Sequence, residues 1–196
     1  MWKLLKDVKS ELDELRTNGI QRGKSIGWSW EQLPLTIKKG YTTYLGAPPA
    51  TGKTEWLFEI LINLSCIHGW KHVVYSPETG SAHEIYAELC HKYIGKPYVK
   101  GKTFMDETER TKAEYFINDH FVVIDPHSSD ENQKLDFTID MFFKTIIDIE
   151  THLGIKFDTT TIDPWNELTE EYQQTDLGRE DKYLSRILGE VRVNAR

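Results

Sequence analysis

Cysteine is nearly absent from this chain. Its 196 residues hold two, Cys66 and Cys90, neither at a spacing that suits a metal. Both fall in helical patterns and read as small buried hydrophobes in a reducing, cytoplasmic compartment, with no disulfide framework. Long apolar runs are absent too. No stretch approaches the roughly 18–20 residues that a membrane span needs. The first fifteen residues carry charges throughout, so they do not read as a secretory signal. Basic residues are outnumbered, 24 Lys and Arg against 31 Asp and Glu, for a net charge of −7. That balance argues against a uniformly basic nucleic-acid face while leaving room for a local basic patch. Internal repeats and low-complexity stretches are missing as well. What remains is a chain of globular composition, 39% hydrophobic and 28% charged, with a length that fits one domain.

The patterning alternates. Leu4, Leu5, Val8, Leu12 and Leu15 recur at helical spacing among Lys, Asp and Glu, which predicts a short amphipathic helix over 2–16, stopped at Thr17-Asn18-Gly19. The stretch up to Gly40 holds Gly23, Gly27 and Pro34 and reads as mostly irregular. Its Trp28, Trp30, Leu33, Leu35 and Ile37 suggest that it packs on the domain. From Tyr41 the pattern becomes β then α. Strands are expected over 41–45, 72–76, 121–125 and 157–163. Helices are expected over 53–68, 81–93, 106–118, 136–152 and 181–195. Alternation of this kind predicts an α/β fold, a mostly parallel sheet covered by helices on both faces.

The most informative motif lies between the first expected strand and its helix. It reads Gly46-Ala47-Pro48-Pro49-Ala50-Thr51-Gly52-Lys53-Thr54. A loop followed by a helix start can wrap a phosphate tail with inward-facing amides, and the helix dipole favours the same anion. Gly52 lets the backbone approach, Lys53 brings a point charge, and the Thr54 hydroxyl can ligate Mg²⁺. The usual pattern G-x-x-x-x-G-K-[ST] has Ala47 in its first glycine position here. The nucleotide-contacting stretch is expected to run from Ala47 through Pro48, Pro49, Ala50, Thr51, Gly52, Lys53 and Thr54 to Glu55.

Transfer of a phosphoryl group to water also needs a carboxylate for Mg²⁺ and a base for the water. In open α/β sheets such acids belong at the carboxyl ends of strands. Glu78, Asp125 and Asp163 qualify by position. Asp125 follows the more apolar strand, Phe121-Val122-Val123-Ile124, and is the better metal-ligand match on pattern alone. It can equally be a turn residue before Pro126. Glu167, close behind Asp163, is a rival base to Glu78, and Asn166 can brace that exit loop through local hydrogen bonds.

The motif A-P-P-A-T-G-K-T resembles the phosphate loop of DnaB-type replicative helicases, whose ATPase domain is RecA-like. Val73-Val74-Tyr75-Ser76-Pro77-Glu78 is similar to that family's second strand and its glutamate. Thr160-Thr161-Ile162-Asp163-Pro164-Trp165-Asn166-Glu167-Leu168 is similar to the Walker B strand and its exit. The stretch 27–40 resembles the family's lead-in. The resemblance implies a RecA-like three-layer ATPase core over 41–196, preceded by a linker helix and lead-in over 1–40. It implies Asp163 as the Mg²⁺ ligand with Thr54, Glu78 as the base, and Lys53 on the phosphates. It further implies ATP and Mg²⁺ as cofactors, a homo-oligomeric, hexameric ring, and single-stranded DNA as partner. A non-helicase RecA- or AAA-type ATPase acting as regulator or loader is the alternative.

Three further expectations follow. In RecA-type sheets a later strand inserts between the phosphate-loop strand and the Walker B strand, and an arginine finger lies beyond it. Neither falls within these 196 residues, so the sheet is expected to have an open lane and the chain by itself to hydrolyse ATP poorly or not at all. The histidines His68, His72, His83, His91, His120, His127 and His152 show no metal spacing and read as surface or capping groups. Lys92, Lys96, Lys100 and Lys102, with Tyr93 and Tyr98, read either as a nucleic-acid contact or as a solvated loop.

Overall fold

The computed structural model describes residues 2–20, 22–28, 35–125, 137–169 and 179–195. The chain opens with a 3₁₀ turn, Leu5–Val8, that runs into helix α1, Lys9–Asn18. The helix therefore starts later and ends later than the sequence pattern suggests. None of its residues is buried. The lead-in contains a two-residue antiparallel pair, β1 (Lys24–Ser25) with β2 (Thr36–Ile37), which is too short to leave a periodic signal.

The body follows as α2 (Lys53–His68), β3 (His72–Tyr75), α3 (Ala82–Ile94), α4 (Glu107–His120), β4 (Phe121–Val123), α5 (Ile139–Leu153), β5 (Thr159–Ile162) and α6 (Glu180–Asn194). Each helix start that carries a polar cap shows why it begins there. Asp106 accepts from the Glu109 N–H at 2.8 Å while Glu109 reaches back to the Asp106 N–H, a reciprocal box at the start of α4. Thr138 caps α5 by accepting from the Met141 N–H. Residues 126–136, which include Pro126, His127 and the expected start of that helix, lie outside the described residues.

Strands β4, β3 and β5 form a parallel sheet in that order, with β3 in the middle. The pleat sends alternate β3 residues to opposite faces. Val74 meets Phe58, Leu61, Ile85, Leu89 and Ile117 of α2, α3 and α4. Val73 and Tyr75 meet Phe142, Ile146, Tyr183 and Ile187 of α5 and α6. Burial on both faces explains why β3 reads as apolar without alternation. Helix α2 is buried on two sides, since Ile60 and Leu64 pack on Ile26 and Trp70 while Phe58 and Leu61 face the sheet. Of the lead-in, Ile26, Trp28 and Ile37 pack with α2 and Trp70, Leu35 is exposed, and Trp30 and Leu33 lie outside the described residues. None of the described helices is long and apolar enough to cross a membrane.

Three expectations are corrected. Residues 41–45 form no strand. Tyr41 and Tyr44 are exposed, and among the described residues no strand lies beside them. Thr and Tyr favour a pleated surface only when a neighbour supplies the ladder, and here none does. Cys66 is exposed on α2, while Cys90 is buried in the core, where burial pushes its thiol up to about 11. Both are free. His72 is neither a surface nor a capping group but a fully buried residue of the central strand.

Around His72 the amino end of the sheet carries a network. The His72 Nδ1 lies 2.6 Å from the Thr159 hydroxyl, and its ring stands 5.0 Å from that of Phe121. Asp158 accepts from the Lys71 N–H at 2.7 Å and pairs with Lys39, and Lys71 pairs with Asp119. Burial outweighs the nearby Asp158 charge and pulls the His72 pKa down to about 3. The imidazole is neutral in the folded protein.

Candidate phosphate-binding site at the carboxyl edge of the sheet

All three sheet strands point the same way, so their carboxyl ends form one edge. Carrying the register two steps past the β3–β4 ladder and one step past the β3–β5 ladder sets Asp125, Ser76 and Asp163 in a row. The Ile124 N–H donates to the Val74 carbonyl and the Asp163 N–H to the Tyr75 carbonyl, both at 2.9 Å. Two of the three acids picked out in the sequence thus follow the two strands that flank β3, and Glu78 follows β3 itself.

The loop 46–52 meets this edge through α2. It is exposed, it turns at Pro49 and Ala50, and it ends at Gly52, the residue before the helix. Gly52 has φ +82°, a left-handed backbone that glycine adopts freely. A Cβ there would meet nothing closer than 3.9 Å, so the requirement is conformational rather than steric. Ala50 also holds a positive φ of 58°, which costs a residue with a Cβ and which gathers at ligand-binding loops. The Thr51 hydroxyl donates to the Pro48 carbonyl at 2.7 Å and locks the turn. The next two residues begin α2, whose positive end faces the loop.

Lys53 and Thr54 occupy that first helical turn. The Lys53 ammonium is half-buried and has no hydrogen-bond or ion-pair partner among the described residues. The Thr54 hydroxyl donates to Asp163 Oδ2 at 2.5 Å, across 109 residues of sequence. Asp163 is 8% exposed, and its carboxylate is thus held next to the start of α2. A hydroxyl and a carboxylate are the kinds of oxygen donor that Mg²⁺ takes beside a nucleotide. An unpaired cation on the same turn suits the phosphates.

The other candidates separate by contact. Asp125 Oδ2 accepts from the Ala82 N–H at 2.9 Å, at the start of α3. Glu78 is exposed in the turn after β3, and its carboxylate has no hydrogen bond or ion pair among the described residues. That turn is fixed at its base, where the Thr79 N–H donates to the Ser76 carbonyl and the two hydroxyls lie 2.7 Å apart. Glu167 is also exposed, on the short turn Trp165–Glu167. Burial, and then the Glu167 charge, raise the Tyr75 phenol above its ordinary pKa. Asn166 is exposed on the same turn. Glu55 forms an ion pair with Lys92 of α3, which also meets Glu88 at 3.5 Å. Lys96 pairs with Glu109. Two of the four lysines read as a basic cluster are therefore neutralised within the chain.

Sequence reasoning missed the Ser76–Thr79 turn and the tie from Asp125 to Ala82. A serine ending an apolar strand, followed three residues later by threonine, was the available signal for the first. For the second there was none, since the partners are 43 residues apart. Among the described residues no group of three or more His, Cys, Asp or Glu side chains could hold a metal ion. The Thr54–Asp163 pair would need phosphate oxygens and water to complete the shell, as Mg²⁺ sites at nucleotides do.

The chain is 28% identical over 194 residues to the Twinkle homolog protein, chloroplastic/mitochondrial, of Arabidopsis thaliana. That match covers 95% of this chain and 26% of the Arabidopsis protein, so the chain spans about a quarter of the length of its relative. No protein-family model matches it, and no solved structure does.

Proposed function

We propose that this chain is an ATP-binding and ATP-hydrolysing motor domain of the helicase type, RecA-like and similar to the DnaB group. The observation that carries the reading is the Thr54–Asp163 hydrogen bond at 2.5 Å, one residue along from Lys53, whose ammonium has no partner among the described residues. In this reading the amides of residues 47–54 and Lys53 hold the phosphates, and Thr54 and Asp163 hold Mg²⁺. When bound, the ion neutralises charge on the β- and γ-phosphates. Glu78 orients the attacking water. The likeness to the Twinkle homolog supports a helicase-type domain. The strand order β4-β3-β5 is compatible with a RecA-like sheet.

The division into a linker and lead-in over 1–40 and a motor core over 41–196 belongs to the same reading. So do the cytoplasmic compartment, the ring and the DNA. Support for the ring comes from α1 and the turn before it. Leu4, Leu5, Leu12 and Leu15 are exposed, and the helix buries nothing against its own chain. An apolar stripe of that kind needs a partner surface. Replacing Leu12 and Leu15 together by Asp is expected to shift the assembled protein to monomers, read as mass by light scattering, with the melting temperature of the monomer unchanged. Loss of monomer stability in that variant would mean that the stripe packs within its own chain.

Hydrolysis is tested with protein in excess over labelled ATP and Mg²⁺, so that even a single slow turnover is seen. Single-stranded DNA is expected to accelerate phosphate release. Release at the same rate with and without DNA would place the chain outside the helicase class.

A further inference from the structure

We infer that Asp125 is a positioning residue that holds the Glu78 turn in place from the neighbouring strand. The inference rests on Glu78 being the group that orients the attacking water. Glu78 stands on a connection of only six residues, 76–81, between β3 and α3. One end of that connection is rigid. Ser76 is fully buried, and its carbonyl and hydroxyl engage the backbone and side chain of Thr79. The other end is the first turn of α3, which could drift with the helix.

Two contacts stop it, one from β4 and one from the residues just past its end. The Asp125 carboxylate accepts from the Ala82 N–H at 2.9 Å, and the Tyr86 hydroxyl accepts from the Val123 N–H at 3.2 Å. The helix start adds its own brace, since Glu84 accepts from the Ser81 N–H at 2.8 Å and from the Ser81 hydroxyl at 2.9 Å. Gly80 is the residue that permits this closure. It has φ +124°, and a Cβ there would come within 2.1 Å of Glu84 Oε2. The turn is thus clamped between strands β3 and β4 with Glu78 at its crest.

Asp125 acts in this clamp as an acceptor, and its charge suits the positive end of α3. Its carboxylate ends a strand, as a metal ligand would, but Oδ2 is committed to α3 while Asp163 meets Thr54. The apolar strand before it therefore marks a structural tie. Loss of the acceptor frees the first turn of α3 and lets Glu78 wander from the water it must orient. Misplacement by about 1 Å can cost about 10²-fold in rate.

The test compares Asp125→Ala and Asp125→Asn in the full chain with ATP and Mg²⁺. Nucleotide affinity is read with a fluorescent ATP analogue, hydrolysis in single turnover, and backbone opening by hydrogen exchange over residues 77–84. Asp125→Ala is expected to bind the analogue within about twofold of the wild type, to hydrolyse about 10–100-fold more slowly, and to exchange at least about tenfold faster over 77–84. Asp125→Asn keeps an acceptor oxygen for the Ala82 N–H, so it is expected to stay within about threefold of the wild type in all three readings. Should Asp125→Asn lose hydrolysis as completely as Asp125→Ala, the carboxylate acts by charge and the inference is wrong. Wild-type rates in Asp125→Ala would overturn it too. If the wild-type chain by itself cleaves no ATP, the exchange data alone decide the tie: unchanged exchange in Asp125→Ala refutes it.

Discussion

Lys53→Ala is expected to weaken ATP binding by about 10- to 150-fold, equivalent to about 1.5–3 kcal/mol for a charge-assisted contact. The measurement is a titration with a fluorescent ATP analogue in the presence of Mg²⁺. In the structure the ammonium sits on the first turn of α2, half-buried and unpaired among the described residues. A cation in that state has shed part of its hydration without gaining a protein partner, so a phosphate supplies what it lacks. Because no internal contact is lost, the melting temperature of the variant should match the wild type. A fall in stability with unchanged nucleotide affinity would mean that Lys53 serves the fold instead.

Acid should destabilise this protein through His72. The folded pKa is about 3, against an ordinary value of 6.5. Between those values the unfolded chain binds a proton and the folded chain does not, so stability rises with pH across the window. It is complete above about pH 6.5 and is lost as the pH falls, by up to about 1.4 kcal/mol per pH unit and roughly 5 kcal/mol over the whole window. Desolvation dominates, while the Asp158 charge works against it and His120 with it. Urea unfolding at about pH 7, 6 and 5 reads the slope. His72→Leu is expected to flatten it by the share of one proton. An unchanged slope in that variant would show that His72 is charged or solvated in the folded state.

Much of this architecture was legible in the sequence where a single physical rule governs a segment. Helices α3 and α4 could be seen from the helical spacing of their side chains, a rule that acts within a few residues. Strands β3, β4 and β5 could be seen as apolar or β-branched runs because both faces or one edge are covered. Failures came where tertiary context decides. Residues 41–45 have the composition of a strand, yet no described neighbour offers a ladder. His72 looks polar and surface-bound in sequence, yet its position in the central strand buries it whatever its chemistry. Cys66 sits on a helix with two buried sides and falls on the remaining exposed one.

The site was legible in part. Gly52, Lys53 and Thr54 could be read from local order, because loop, helix start and side chains act within a few residues of one another. Choosing between Asp125 and Asp163 could not be done locally. The more apolar strand favoured Asp125, the family resemblance favoured Asp163, and the long-range Thr54–Asp163 contact supports the second. Glu55 falls in the expected stretch by position, but Lys92 draws it into α3. That pairing depends on how two helices meet, which no window of sequence contains.

The central claim is that residues 47–54 bind a phosphate tail. It is tested most directly by competition against a fluorescent ATP analogue on the wild-type chain. Tripolyphosphate with Mg²⁺ is expected to displace the analogue, while adenosine at the same concentration leaves it bound. Displacement by adenosine with no effect of tripolyphosphate would contradict the account.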